Sequence, residues 1–175
     1  MRRLFVLWHR AEWGLATAAY AAVALVLTLD VIGRELMLPL LRALGLPHGS
    51  GGIFGATKIA VYCLVVGTYA GIGVAAATAS HLVPRIGHAL TPRAWSASID
   101  RSADALTALV LLAGAYAGVL LVHGSWELGT RAPILQWPLW LVQLALPLGL
   151  ASAALRYAGF AAWPDLRPPP RGAGD

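Results

Sequence analysis

Four stretches of this chain stay apolar long enough to cross a bilayer, and most of its charges stand between them. They cover residues 13–32, 54–79, 103–122 and 137–156. About twenty residues of helix rise about 30 Å, the thickness of the hydrocarbon layer. Inside that layer a single span can satisfy its backbone hydrogen bonds only as a helix, so each stretch is predicted to be a transmembrane α-helix. The second carries Lys58 in its first turns, from which an ammonium can snorkel to the near interface. The fourth carries Pro147 near its middle, where a proline is expected to kink a membrane helix without ending it.

The connections differ from one another. Residues 35–53 hold Pro39, Pro47 and the run Gly49, Ser50, Gly51, Gly52, which predicts a flexible loop whose apolar first half lies in the interface. Between the second and third spans, Leu82, Ile86 and Leu90 recur every four residues, with Arg85, His88 and Arg93 between them and Trp95 after. That pattern predicts a short helix lying in the membrane plane over residues 82–95, held to about two turns by Pro84 and Pro92. Pro168, Pro169 and Pro170 mark residues 164–175 as a disordered tail. The expectation is one all-α domain of four spans over residues 1–163.

Composition strengthens this picture. Of 175 residues, 58% are hydrophobic and 12% charged, where a soluble domain carries about 25% charged residues. The mean hydropathy of +0.69 exceeds what a small soluble fold can hide, which argues against a soluble enzyme and against a disordered chain. A net charge of +5 would suggest nucleic acid if it were gathered in a patch, but it is spread over the connections. Arg2, Arg3, Arg10, Arg85, Arg93, Arg101, Arg156, Arg167 and Arg171 fall on one predicted side, against Arg34, Arg42 and Arg131 on the other. The positive-inside rule then puts both termini in the cytoplasm. Trp8, Trp13, Trp95, Trp126, Trp137, Trp140 and Trp163 stand near predicted boundaries, as an aromatic belt requires. The first apolar run is too long for the core of a signal peptide, so an uncleaved anchor is expected. The lone Cys63 forms no disulfide within the chain and is expected to pack as a small hydrophobe.

Candidate chemistry is sparse. A membrane haem needs histidines facing one another at one depth. His9, His81 and His88 fall on one predicted side, and His48 and His123 on the other. The acids nearest the spans are Asp30, Asp104 and Glu127, all close to predicted ends. Asp30 stands four residues before Arg34, on the same helix face, and is expected to form a structural ion pair with it. Asp104 is expected at the start of the third span, where a negative charge suits a helix N-terminus. Gly67/Gly71 and Gly114/Gly118 are GxxxG pairs, candidates for close helix packing or for contact with a partner. No phosphate loop, zinc-binding helix or nucleophile elbow is present. Neither a broken helix nor a central polar group of the kind a midplane transport site needs is expected. The residues therefore predict no enzyme, no cofactor and no metal.

Several short stretches resemble one family. The first span closes on Asp30-Val-Ile-Gly-Arg34. The second ends in Ala79-Ser-His81-Leu, followed by Leu90-Thr-Pro-Arg-Ala-Trp95. The fourth opens on Leu135-Gln-Trp-Pro138-Leu-Trp140 and continues with Leu146-Pro147-Leu-Gly149. In order and spacing, from about residue 29 to 157, these are similar to the DctQ-like small membrane subunit of tripartite ATP-independent periplasmic (TRAP) transporters. The family-motif positions here are Arg34, His81, Pro138, Trp140, Pro147 and Gly149. Where members often carry an acidic pair entering the second helix, this chain has Ala56-Thr-Lys58. Where an Asp often follows the His, it has Val83-Pro-Arg85. The resemblance implies a multi-pass subunit of the bacterial inner membrane. Its partners would be a large TRAP membrane subunit and a periplasmic substrate-binding protein, in sodium-coupled uptake of an organic acid. Such a subunit is a scaffold with no substrate site of its own. The alternatives are a small haem- or quinone-linked membrane subunit and a self-sufficient homodimeric transporter.

Overall fold

The computed structural model describes residues 2–47, 49–78 and 96–164, with side chains from residue 7 onward in the first segment and from residue 98 in the last. His48, His81, His88, the predicted in-plane helix 82–95 and the tail from residue 165 lie outside the described residues.

The described chain is helical apart from its connections. Helix α1 spans Arg2–Ile32 and passes without a break into a π-helical turn, Gly33–Met37, and then α2, Leu38–Ala43. Helix α3 spans Ala56–Ala77, α4 Ser96–Glu127, α5 Leu139–Gln143 and α6 Ala145–Ala162. Four helical stretches, Leu7–Ala43, Ala56–Ala77, Ser98–Glu127 and Leu139–Ala162, are long and apolar enough to cross a membrane. The fold class is therefore all-α with four candidate spans.

The four spans stand in a row. Helix α1 packs along α3, α3 along α6, and α6 along α4, while α1 and α4 share no sizeable contact among the described residues. The consequence shows in burial, since the two outer helices are the least covered. Small residues make the row possible. Lipid tails are as apolar as leucine, so helices associate in a bilayer through close packing and hydrogen bonds rather than through the hydrophobic effect. Ala16 and Ala19 of α1 face α3, whose buried positions are Ala56, Ala60, Gly67, Ala70, Gly73 and Ala76. Helix α6 answers with Gly149, Ser152, Ala153 and Ala154. At Gly149 a side chain would run into the backbone carbonyl of Tyr69, so this contact admits only glycine without a shift. The large apolar side chains point outward instead. Leu25, Leu106, Leu109 and Leu148 are all more than 60% exposed, the reverse of a soluble fold and what lipid as solvent demands.

Two expectations can be set against this fold. Proline has no N–H to offer the carbonyl four residues earlier, that of Gln143, and Pro147 leaves a gap in the hydrogen-bond ladder at Leu144. Leu144 keeps helical backbone angles, and the stretch Leu139–Ala162 runs through it. Asp104 does not begin a helix. Helix α4 starts at Ser96, which leaves Asp104 in its third turn and only 4% exposed.

Candidate functional site

Charged side chains gather near the two ends of the spans. At the end bearing the start of α1 and the end of α6, Glu12 of α1 receives three donors. The indole Nε1–H of Trp8, one turn earlier on the same helix, donates to its Oε1 at 2.8 Å. The hydroxyl of Ser152 donates to the same oxygen, and the guanidinium of Arg156 pairs with Oε2. The Trp8 ring lies beside that guanidinium, 5.4 Å from ring centre to Cζ, a cation–π contact. The Glu12 and Arg156 side chains are 12% and 5% exposed.

This pairing reaches across α3. Glu12 belongs to α1 and Arg156 to α6, and α3 stands between these helices. The carboxylate passes at Gly73 of α3, where a Cβ would lie 2.5 Å from Oε1. A missing side chain on the middle helix thus opens the path for an ion pair between the helices on either side. Among the described residues the Nε of Arg156 and the Nδ1 of His9 are buried with no hydrogen-bond partner.

At the other end, Asp30 is 3% exposed. Its Oδ2 pairs with Arg34, one turn on, and its Oδ1 accepts from the backbone N–H of Ile53 at 2.9 Å. The second bond ties the loop before α3 to the end of α1. The Arg34 side chain is 53% exposed. Beside this pair lies an open cavity of about 340 Å³, lined by Asp30, Arg34, Ser50, Phe54, Lys58 and Ile134. The turn joining α4 to α5 closes its far side. That turn is held by Ala132 N–H to the Trp137 carbonyl at 2.7 Å and Leu139 N–H to the Thr130 carbonyl at 3.0 Å. Ile134 adopts φ 74° there, a conformation rare for a β-branched residue.

The remaining sequence candidates fall as follows. Gly67 packs against Ala19 and Tyr20 of α1, Gly114 meets Leu150 of α6, and Gly118 meets Leu146 and Pro147. Gly71 faces open space. Three of the four glycines thus serve contacts within the chain. Pro138 precedes α5 in extended conformation, and Trp140 makes an edge-to-face contact with Trp126, ring centres 4.8 Å apart. Pro147 and Gly149 are both buried. His123 and Glu127 stand 3.5 Å apart on the exposed side of α4. Cys63 is half-buried. Among the described residues no three His, Cys, Asp or Glu side chains form a group fit to hold a metal ion.

Sequence reasoning missed the Glu12–Arg156 pair. Arg156 counts in the sequence only as a flanking positive charge, and Glu12 falls one residue outside the apolar window 13–32. The pair lies near one end of the spans and is no midplane polar group, but it is a buried charge that the hydropathy pattern did not reveal. A signal was present. Stepping back along the stripe Ala19, Ala16 by one turn gives Glu12, and stepping forward from Gly149 through Ser152 gives Arg156. Charges that continue a small-residue stripe point into the helix contact rather than into water.

A row of four lipid-facing helices, with charged pairs near both ends, defines a polytopic helical membrane protein. Comparison with known families makes this more specific. The family model of the DctQ component of tripartite ATP-independent periplasmic transporters matches residues 23–164, and the chain belongs to that family. It is a family of transporter components, not of enzymes, within a system that also has a large membrane subunit and a periplasmic binding protein. No curated protein and no solved structure matches the chain.

Proposed function

We propose that this chain is the small permease subunit of a sodium-coupled TRAP transporter for an organic acid. It resides in the bacterial inner membrane with both termini in the cytoplasm. It serves as a scaffold for the large transport subunit and holds no substrate site of its own. The observation that carries the reading is how two buried carboxylates are used. Asp30 and Glu12 are each tied to an arginine and to a further donor of the same chain, so they join helices instead of waiting for a transported ion. A row of helices also suits a scaffold, because it extends a membrane surface without enclosing a path. The redox alternative gains no support from His9 and His123, which stand at opposite ends of the row.

The test is uptake in proteoliposomes together with co-purification. The chain alone should transport nothing. With the large subunit it should purify in mild detergent at one to one, and uptake should require both chains, the binding protein and a sodium gradient. Uptake by this chain alone would refute the scaffold reading. A reporter active only in the periplasm should be silent when fused after Asp175 and active when inserted at Gly51; the reverse would invert the topology.

A further inference from the structure

The open cavity between the end of α1 and the start of α3 holds more positive charge than the described residues pair. Asp30, Arg34 and Lys58 all line it. Asp30 has little to spare, because one oxygen takes the Arg34 guanidinium and the other the Ile53 N–H. Arg34 reaches that carboxylate through one terminal nitrogen, so most of its five N–H donors remain. Lys58 is half-buried, and its ammonium has no hydrogen-bond or ion-pair partner among the described residues. Asp30 offsets Arg34, and the lining is left with the single positive charge of Lys58.

The rest of the lining is apolar. Ile53, Phe54 and Ile134 border the same cavity with their side chains exposed, Phe54 at 79%. Two cations beside an apolar rim match an anion that carries hydrocarbon. A free inorganic anion gains nothing from such a rim. The cavity also stands at a telling level. The apolar windows end at residue 32 and resume at residue 54, so it lies where hydrocarbon gives way to headgroups, the depth of lipid phosphates. Guanidinium and ammonium groups between spanning helices are the usual holders of anionic headgroups.

We propose that this cavity binds the phosphodiester of an anionic phospholipid. Arg34 and Lys58 donate to its oxygens, and its acyl chains lie against Ile53, Phe54 and Ile134. A phosphodiester whose headgroup has no other charge balances Lys58, whereas a zwitterionic lipid brings a second ammonium beside it. The bound lipid adds to the joint between α1 and α3 that the bond from Asp30 to Ile53 already makes. The groups it needs all belong to this chain, so the site stands whether or not the chain is the small permease subunit.

The experiment takes the full chain, delipidated in a neutral detergent, and counts bound lipid by native mass spectrometry. Phosphatidylglycerol is titrated in, against phosphatidylcholine with the same acyl chains and against inorganic phosphate as competitor. The wild type should bind phosphatidylglycerol more tightly than phosphatidylcholine and should not release it to phosphate. Lys58→Gln should weaken phosphatidylglycerol about tenfold, as expected for one lost charge-assisted hydrogen bond. Lys58→Arg should keep the affinity. Arg42→Gln, which removes a cation at the same end of the spans but outside the cavity lining, should change nothing. Equal affinity for the two lipids, or displacement by inorganic phosphate, would overturn the lipid assignment on the wild type alone, without any variant. Equal effects of Lys58→Gln and Arg42→Gln would overturn the site. The lipid should also remain when the chain is co-purified with the large subunit; its loss there would give Lys58 to a carboxylate of the partner and overturn the proposal.

Discussion

Arg156→Met removes the one full positive charge paired with Glu12 among the described residues and keeps most of the side-chain volume. The carboxylate retains the Trp8 N–H at 2.8 Å and the Ser152 hydroxyl. It loses its counter-charge while only 12% of its side chain is exposed. Breaking a buried ion pair by removing one partner costs about 3–5 kcal/mol. Two surviving donors put this case near the lower figure, about 3 kcal/mol, or roughly a hundredfold in the folded fraction. Glu12→Gln combined with Arg156→Met leaves no charge behind and keeps an acceptor for Trp8 and Ser152. Replacing both members of a buried pair is often close to neutral, so the double variant should recover more than half of the loss. The assay is the fraction of monodisperse protein surviving graded heating in detergent, read by fluorescence-detected gel filtration for wild type, both single variants and the double. A double variant no more stable than Arg156→Met alone would mean that the two groups are not coupled and that the pair does not join α1 to α6.

At the other end, Asp30→Ala should free both Arg34 and the Ile53 N–H and speed proteolysis of residues 44–55 in the folded protein. Asp30→Asn should keep the Ile53 bond and change that rate less. Arg34→Ala should lower folded yield in membranes more than Asp30→Asn, because it leaves a buried carboxylate without its counter-charge. If Asp30→Asn abolishes uptake with yield and assembly intact, Asp30 belongs to the transport path. Gly149→Ala should destabilise by about 1–3 kcal/mol, as overpacking does, since its new methyl meets the Tyr69 carbonyl. Gly71→Ala, which meets nothing within 4 Å, should leave heat resistance unchanged or slightly raised. Equal loss from the two substitutions would contradict the α3–α6 packing.

The four spans were legible in the sequence because hydropathy depends on neighbours along the chain, and so was the Asp30–Arg34 pair, whose partners lie one turn apart. The Glu12–Arg156 pair was not, because its partners are 144 residues apart and each lies beside the boundary of an apolar run. A hydropathy window treats such a residue as the end of a span, whereas the small-residue stripe it continues shows which way it points. The gap at Leu144 was signalled by Pro147, which cannot make the ladder hydrogen bond, but how the helix bends there depends on what packs against it. The order α1, α3, α6, α4 was likewise beyond reach, since four apolar helices of similar composition carry no label for their neighbours.

A single file of helices has the proportions of a thin wall. With axes 8–10 Å apart, it is about 30–40 Å long and about 10 Å thick, and it has little inherent resistance to bending within the membrane plane. The contact between Glu12 and Arg156 reaches past the intervening helix and so works as a diagonal brace, fixing the angle between α1 and α6 near one membrane surface. The bond from Asp30 to Ile53 spans only one joint at the opposite surface. Cutting the brace should therefore let the wall hinge about α3 at one surface while the other stays fastened, and a load carried by the small subunit would be transmitted unevenly across the membrane.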